Sequence, residues 1–344
     1  MKRFRNAQDS CSALTRLMLL IVLTAVAGCA QARIQEPGPG NEPPGLNDAV
    51  FVAADGYRMP VTVWHAEGEV EAVVLALHGF NDFRQSHTAL GEYLSARGVT
   101  VLAYDQRGFG GTEQRGIWPG TERLVDDAVL ALTLLRARYP QTPLYLLGES
   151  MGGAVALLAL ADDDRPALAG TVLMAPAVWA RETQPWYQRM GLWLGLRLTP
   201  GMRVSADWVA VEPTDDPEWA DYWDEHPLVI HRVRVDALDG LTELMSDALA
   251  TWPAVTDPLL VLYGGEDEVI PAEAICEMIR HHPDADDPQR RFAFYPDGWH
   301  FLARDSRAGE TKADIQAWLA DSEATLPSGR ELSWHEARSR LCHQ

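Results

Sequence analysis

The run Gly148-Glu149-Ser150-Met151-Gly152 sets one serine between two glycines in a G-x-S-x-G spacing. Ahead of it lies Leu144-Tyr145-Leu146-Leu147, apolar and of strand length, and the Ala/Leu-rich residues 153–158 behind it read as a helix. A strand that turns at once into a helix leaves its turn residue strained and protruding. Glycines leave room where a side chain would collide with the opposite arm of the turn. Ser150 is therefore expected above the C-terminal edge of a sheet, its hydroxyl near the positive end of the following helix. The bare pentapeptide arises by chance and a structural turn is the alternative. Its flanks make Ser150 a candidate nucleophile.

A serine hydroxyl attacks poorly until a base takes its proton and an acid orients that base. In this setting acid and base follow the serine along the chain. The apolar strand 259–263 runs into Gly264-Gly265-Glu266-Asp267-Glu268, and the strand 291–295 into Pro296-Asp297-Gly298-Trp299-His300. Parallel strands deliver these loops to one sheet edge, so Ser150, Asp267 and His300 could converge there. His300 is the expected base. Glu266, Asp267 and Glu268 are all within reach as the acid, and spacing from the strand favours Asp267.

The oxyanion of acyl transfer needs backbone donors. The amide of Met151 is one candidate, and that of Phe80, in the loop His78-Gly79-Phe80, is the other. His78 is a rival base that fits better as a brace for its own loop. Asp105 and Arg107 are expected to brace theirs through a mutual salt bridge. No Cys/His spacing resembles a zinc site, and His281-His282 read as a solvated helix end. No metal or cofactor is implied.

The elements that must position these residues follow an alternating rhythm. Short β-rich runs at 49–53 and 59–65 flank Asp55-Gly56, a hairpin signal. Continuous apolar strands are expected at 72–77, 99–104, 144–147 and 170–174, with helices at 87–97, 122–139, 272–281 and 311–319. Val/Leu-rich strands alternating with helices imply an α/β protein with a mostly parallel, doubly wound sheet covered on both faces. The core is then 48–176 and 246–326. Residues 177–245 lack a clear strand and are expected as a helical cap inserted after the sixth strand. Trp179, Trp186, Met190 and Trp193 are its candidate substrate-binding residues, lining an apolar pocket or else packing the lid onto the sheet. The tail 327–344 is polar and reads as surface-bound.

Five segments, H-G-F-N-D, Y-D-Q-R-G-F-G, G-E-S-M-G-G, G-G-E-D-E-V-I-P and D-G-W-H-F-L, resemble the monoacylglycerol lipase and lysophospholipase branch of the α/β-hydrolases. The resemblance spans about residues 50–320 and implies the α/β-hydrolase fold. It also implies Ser150 as nucleophile, Asp267 as acid, His300 as base and oxyanion amides from Phe80 and Met151. It departs in the cap, where Glu225-His226-Pro227-Leu228 stands in place of the family's frequent Asp-Pro-Leu. The substrate this implies is a single-chain lipid ester. Small soluble esters or peptides are a second reading, and a lipoprotein that binds a ligand without turnover is a third.

The N-terminus carries Lys2, Arg3, Arg5 and Arg16 ahead of an apolar run at 17–27, too short to span a bilayer and read as an export signal over 1–28. It ends in Val26-Ala27-Gly28-Cys29, which resembles a bacterial lipobox and implies acylation of Cys29. Ala30 after it favours the outer membrane, on its periplasmic face. An ordinary cleaved signal is the alternative. Residues 29–47, rich in Pro and Gly, are expected as a linker. Removing 1–28 takes away four cations and one acid, so the net charge goes from −20 to −23. Such acidity argues against nucleic acid as a partner and against electrostatic attraction to anionic lipid. Cys276 and Cys342 remain, either as a disulfide suited to an oxidising compartment or as two free thiols.

Overall fold

A computed structural model describes residues 32–205, 211–282 and 288–342. The leader expected over 1–28 and the expected acylation site Cys29 lie outside them.

Among the described residues the main sheet contains ten strands. In chain order these are β1 (Gly45–Leu46), β2 (Val50–Val52), β3 (Arg58–Trp64), β4 (Ala72–Leu77), β5 (Val99–Tyr104), β6 (Leu144–Glu149) and β7 (Gly170–Met174). After a ribbon of β8 (Arg203–Ser205) and β9 (Arg232–Arg234) come β10 (Leu259–Gly264), β11 (Arg290–Tyr295) and β12 (Glu331–Leu332). The spatial order is β1-β2-β3-β5-β4-β6-β7-β10-β11-β12, parallel from β5 to β11 and antiparallel at both ends.

The apolar runs are continuous because both faces are covered. Val73, Leu75 and Leu77 of β4 enter one core, and Ala72, Val74 and Ala76 enter the other. Strand geometry sends successive side chains to opposite faces, so an uninterrupted run serves two cores at once. On one face pack α2 (Thr121–Arg138) and α3 (Met151–Leu160), after α1 (Thr88–Ser95) on the other.

Between β7 and β10 lie α4 (Trp186–Leu198), α5 (Pro217–Glu225) and α6 (Val235–Thr251). The region is not strandless, since β8 and β9 pair antiparallel. Strands of three residues are too short to show an alternation in sequence. The cap follows the seventh strand rather than the sixth, because the two-residue β1 adds an edge. Helix α6 runs unbroken past residue 245 and buries Leu244, Met245, Ala248 and Leu249 in the larger core.

Beyond β10 come α7 (Ala272–Arg280), α8 (Ala308–Ala320) and α9 (Trp334–Leu341). The tail is therefore structural rather than surface-bound. β12 extends the sheet, and a capping box of Ser333 and Glu336 starts α9. Trp334, Ala337 and Leu341 are buried, at a spacing that charged neighbours obscure in sequence. A disulfide joins Cys276 of α7 to Cys342 just past α9.

The Pro/Gly-rich N-terminal stretch is also docked rather than free. The Gln35 amide donates to Trp118 O at 2.8 Å, and its buried side chain donates to Tyr57 Oη and Glu113 O at 3.0 and 3.1 Å. The Arg33 amide donates to Asp236 at 3.0 Å, and the Gly38 amide to Asp55 at 2.8 Å. No helix among the described residues is long and apolar enough to cross a membrane.

Candidate active site

Ser150 takes the turn between β6 and α3 at φ 53° and ψ −117°. A side chain there costs roughly 1–3 kcal/mol of backbone strain, so the surroundings must over-determine it. The Ser150 amide donates to Met174 O at 2.9 Å, and its carbonyl accepts from Gly153 and Ala177, each at 2.9 Å. A Cβ on Gly148 would lie 2.3 Å from Gly152 O, the expected collision across the turn. At Gly152 the obstacle is instead the neighbouring strand, with Leu77 O at 2.2 Å.

The loop after β4 passes directly over the serine, since a Cβ on Gly79 would meet Ser150 Cβ at 3.3 Å. Phe80 follows, its ring 5.4 Å from that of Phe109. Met151 opens α3, where an amide has no intrahelical acceptor. Met151 directly follows the nucleophile, and Phe80 follows the glycine that abuts it. His78 is a brace: the Gln106 amide donates to its Nε2 at 2.9 Å, which leaves Nδ1 to donate to Gly79 O at 2.8 Å.

β10 and β11 lie side by side and parallel. Gly264 and Gly265 let the two following loops touch backbone to backbone, where a Cβ would meet Gly298 O or Pro296 O at 2.4 Å. His300 Nδ1 stands 2.8 Å from Asp267 Oδ2, and neither side chain meets solvent appreciably. Asp267 Oδ1 accepts from the amides of Val269 and Ile270 at 2.8 and 2.9 Å. Glu268 turns away to accept the Glu212 amide at 2.9 Å. With Nδ1 engaged, His300 keeps Nε2 for proton transfer.

The expected Asp105–Arg107 bridge does not form. Asp105 pairs with Arg84 at 2.5 Å. Arg107 reaches Asp55 at 2.6 Å and holds Asp127 with two bonds of 2.8 and 2.9 Å. Burial pushes the Asp127 carboxyl up to about 6 despite that pairing. Sequence proximity misled here, since both real partners lie far along the chain. A second cluster, Arg304 with Asp82 and Glu149, escaped the sequence reading because its members are isolated charges in separate motifs.

In the cap, Trp179 packs against the larger core. Trp186, Met190 and Trp193 are 70%, 49% and 51% exposed, so in this conformation they neither line an enclosed pocket nor pack the lid onto the sheet. The space beside Phe80 is an apolar seam of about 10 Å³, bordered by Phe109, Trp118, Ile230, Val233 and Ala237. His226, in the divergent cap segment, stacks on Phe83 with centroids 4.0 Å apart. No group of side chains suited to a metal ion occurs among the described residues.

A family model described as serine aminopeptidase, S33, matches residues 68–307. A monoglyceride lipase of Rattus norvegicus is 25% identical over 276 residues, which cover 78% of this chain and 89% of that one. A monoacylglycerol lipase of Mycolicibacterium smegmatis is 26% identical over 276 residues, 78% of this chain and 95% of its own. A solved monoglyceride lipase of Saccharomyces cerevisiae superposes with a TM-score of 0.67 over 84% of this chain and all of that one, at 19% identity. That likeness speaks for the fold alone. The chain has the α/β-hydrolase fold expected of it.

Proposed function

The chain belongs to the serine aminopeptidase S33 family, and from that premise we propose that it hydrolyses carboxylic esters of single-chain lipids, monoacylglycerols first among them, with lysophospholipids the other candidates. The observation that carries this reading is the buried Asp267–His300 hydrogen bond on the sheet edge that also presents Ser150 at positive φ. In the proposed cycle Ser150 attacks the acyl carbonyl while His300 takes its proton. The amides of Phe80 and Met151 hold the oxyanion, and Asp267 keeps the imidazole oriented. His300 then protonates the departing glycerol, and a water it activates frees the fatty acid.

The family description mentions aminopeptidases, which must hold a substrate ammonium with an anion. The seam beside Phe80 is bordered by aromatic and aliphatic side chains and by Asn81, with no carboxylate among them, and this favours an acyl chain. At about 10 Å³ the seam must open before a chain can enter.

Attachment at Cys29 belongs to the same proposal. Five Cα–Cα steps lead from Cys29 to Ile34, so an extended chain spans at most about 18 Å. Ile34 bridges Trp118, and the Arg33 amide bonds Asp236 at the start of α6. Gly195 of α4 abuts Val235, the neighbour of Asp236. An acylated Cys29 would thus bring the apolar surface of α4 close to lipid. Fluorophosphonate labelling of the wild type but not Ser150→Ala, together with release of fatty acid from monoacylglycerol, tests the enzyme reading. A wild type that neither labels nor releases fatty acid would end it.

A further inference from the structure

The catalytic loops of this fold arrive from separate strands, and each must hold its register against the others to within a fraction of an ångström. Three of them meet at one side chain. Arg304, four residues after His300, has a guanidinium that is 1% exposed. Its Nη1 donates to Asp82 Oδ2 at 3.1 Å, and its Nη2 donates to Glu149. Asp82 sits two residues beyond Phe80, and Glu149 fills the variable position just before Ser150. One cation therefore ties the histidine loop to the oxyanion loop and to the nucleophile strand.

The same residue touches the cap. Its guanidinium lies 3.7 Å from the ring centroid of Phe301 and 5.4 Å from that of Trp219 in α5. Its carbonyl accepts from Thr214 Oγ1 at 3.0 Å. The next residue completes the loop, for Asp305 accepts the amides of Trp299 and Arg307 at 3.1 and 2.9 Å. A buried cation facing two carboxylates is costly to build if packing alone is wanted, because an apolar cluster of similar volume would do as well or better. What it offers instead is direction: a rigid planar fork whose two arms fix two acceptors relative to each other.

We infer that Arg304 is a positioning residue for the proposed hydrolysis, locking His300, the Phe80 amide and Ser150 into one geometry through Asp82 and Glu149. It touches none of the reacting atoms. The inference rests on the serine-hydrolase reading, and the experiment separates the two.

The test compares wild type, Arg304→Lys and Glu149→Gln on a short soluble ester, with active sites counted by fluorophosphonate titration and folding checked by thermal melts. Lysine keeps the charge but loses the fork, and glutamine keeps the shape of Glu149 but not its charge. In each, kcat per titrated site is expected to fall on the order of 10-fold or more, with KM within about twofold, since misplacement of about 1 Å costs up to about 100-fold. The rate of fluorophosphonate labelling should fall in parallel. A cluster that only stabilises the fold would lower the melting temperature and leave kcat per site alone. Wild-type kcat and labelling rate in both folded variants would overturn the inference while leaving the enzyme reading intact. A wild type that does not label at Ser150 would overturn both. Should Arg304→Lys fail to fold, the isosteric Glu149→Gln decides.

Discussion

His300 Nδ1 and Asp267 Oδ2 lie 2.8 Å apart, and the other oxygen of that carboxylate is held by the amides of Val269 and Ile270. The acid is thus fixed at both ends before any substrate arrives, which is what keeps a neutral imidazole in one tautomer. Asp267→Asn preserves the shape but can present an N–H where an acceptor is needed. Its kcat is expected to drop by about 10³- to 10⁴-fold. Glu266→Gln and Glu268→Gln should stay within about twofold, because neither side chain is placed on His300. Steady-state kinetics on a soluble ester decide it, and a Glu266→Gln more damaging than Asp267→Asn would unseat the acid assignment.

The disulfide between Cys276 and Cys342 closes 66 residues and fastens α9 beneath β11. Restricting the unfolded chain over such a loop contributes roughly 4 kcal/mol in the loop-entropy account. The Cys276→Ser/Cys342→Ser double variant should therefore lose several degrees of melting temperature, yet keep its turnover of short esters, since neither cysteine belongs to the candidate site. Mass measurement with and without reductant should differ by two hydrogen atoms. Two alkylatable thiols in the freshly purified protein would contradict the pairing.

His87 is buried, and desolvation first, with the Arg304 charge second, lowers its imidazole to about 3 from an ordinary 6.5. A base depressed in the folded state contributes stability that is present above the unfolded value and lost as pH falls toward the folded one. Between pH 7.5 and 5 the loss comes to about 2 kcal/mol. Asp127 and Asp305, both raised to about 6 by burial, act with the opposite sign, since their protonation favours the folded state from about pH 6 down to their ordinary value. The wild-type curve therefore mixes both trends. Comparison with His87→Gln isolates the first: its melting temperature should fall less than the wild type's over that range. Parallel curves would refute the assignment.

The core strands, the nucleophile turn and the order of the candidate catalytic residues were legible because each is encoded locally. A run such as Ala72–Leu77 carries its own burial, and G-E-S-M-G carries its own turn. What stayed hidden depends on partners. The strap at Gln35 is set by acceptors on Trp118 and Glu113, about 80 residues away, and β12 exists only because β11 offers an edge. Arg107 has an acid two residues away in Asp105 and ignores it for Asp127, which the packing of α2 brings alongside. Asp267 over Glu266 was only weakly readable, since the choice rests on a short side chain that can also cap Val269 and Ile270.

Helix α4 exposes Trp186, Tyr187, Met190, Trp193, Leu194 and Leu198, and none of its residues is buried. An exposed apolar surface of this kind marks a site of contact with something apolar. Two occupants are distinguishable. If α4 dips into the lipid layer to which an acylated Cys29 would hold the protein, Trp186→Ser and Trp193→Ser should slow hydrolysis of monoacylglycerol embedded in vesicles. Turnover of a short ester in solution should change little, because α4 stands clear of the seam beside Phe80. If instead α4 folds inward to line an acyl channel during the reaction, the same substitutions should flatten the dependence of kcat/KM on chain length for soluble esters, where each methylene gained is worth at most about 0.8 kcal/mol. Vesicle and solution rates measured side by side on the two variants separate these outcomes. Equal loss on both substrates would contradict the lipid-contact reading and favour the inward one, whereas no loss on either would remove α4 from the substrate's path altogether.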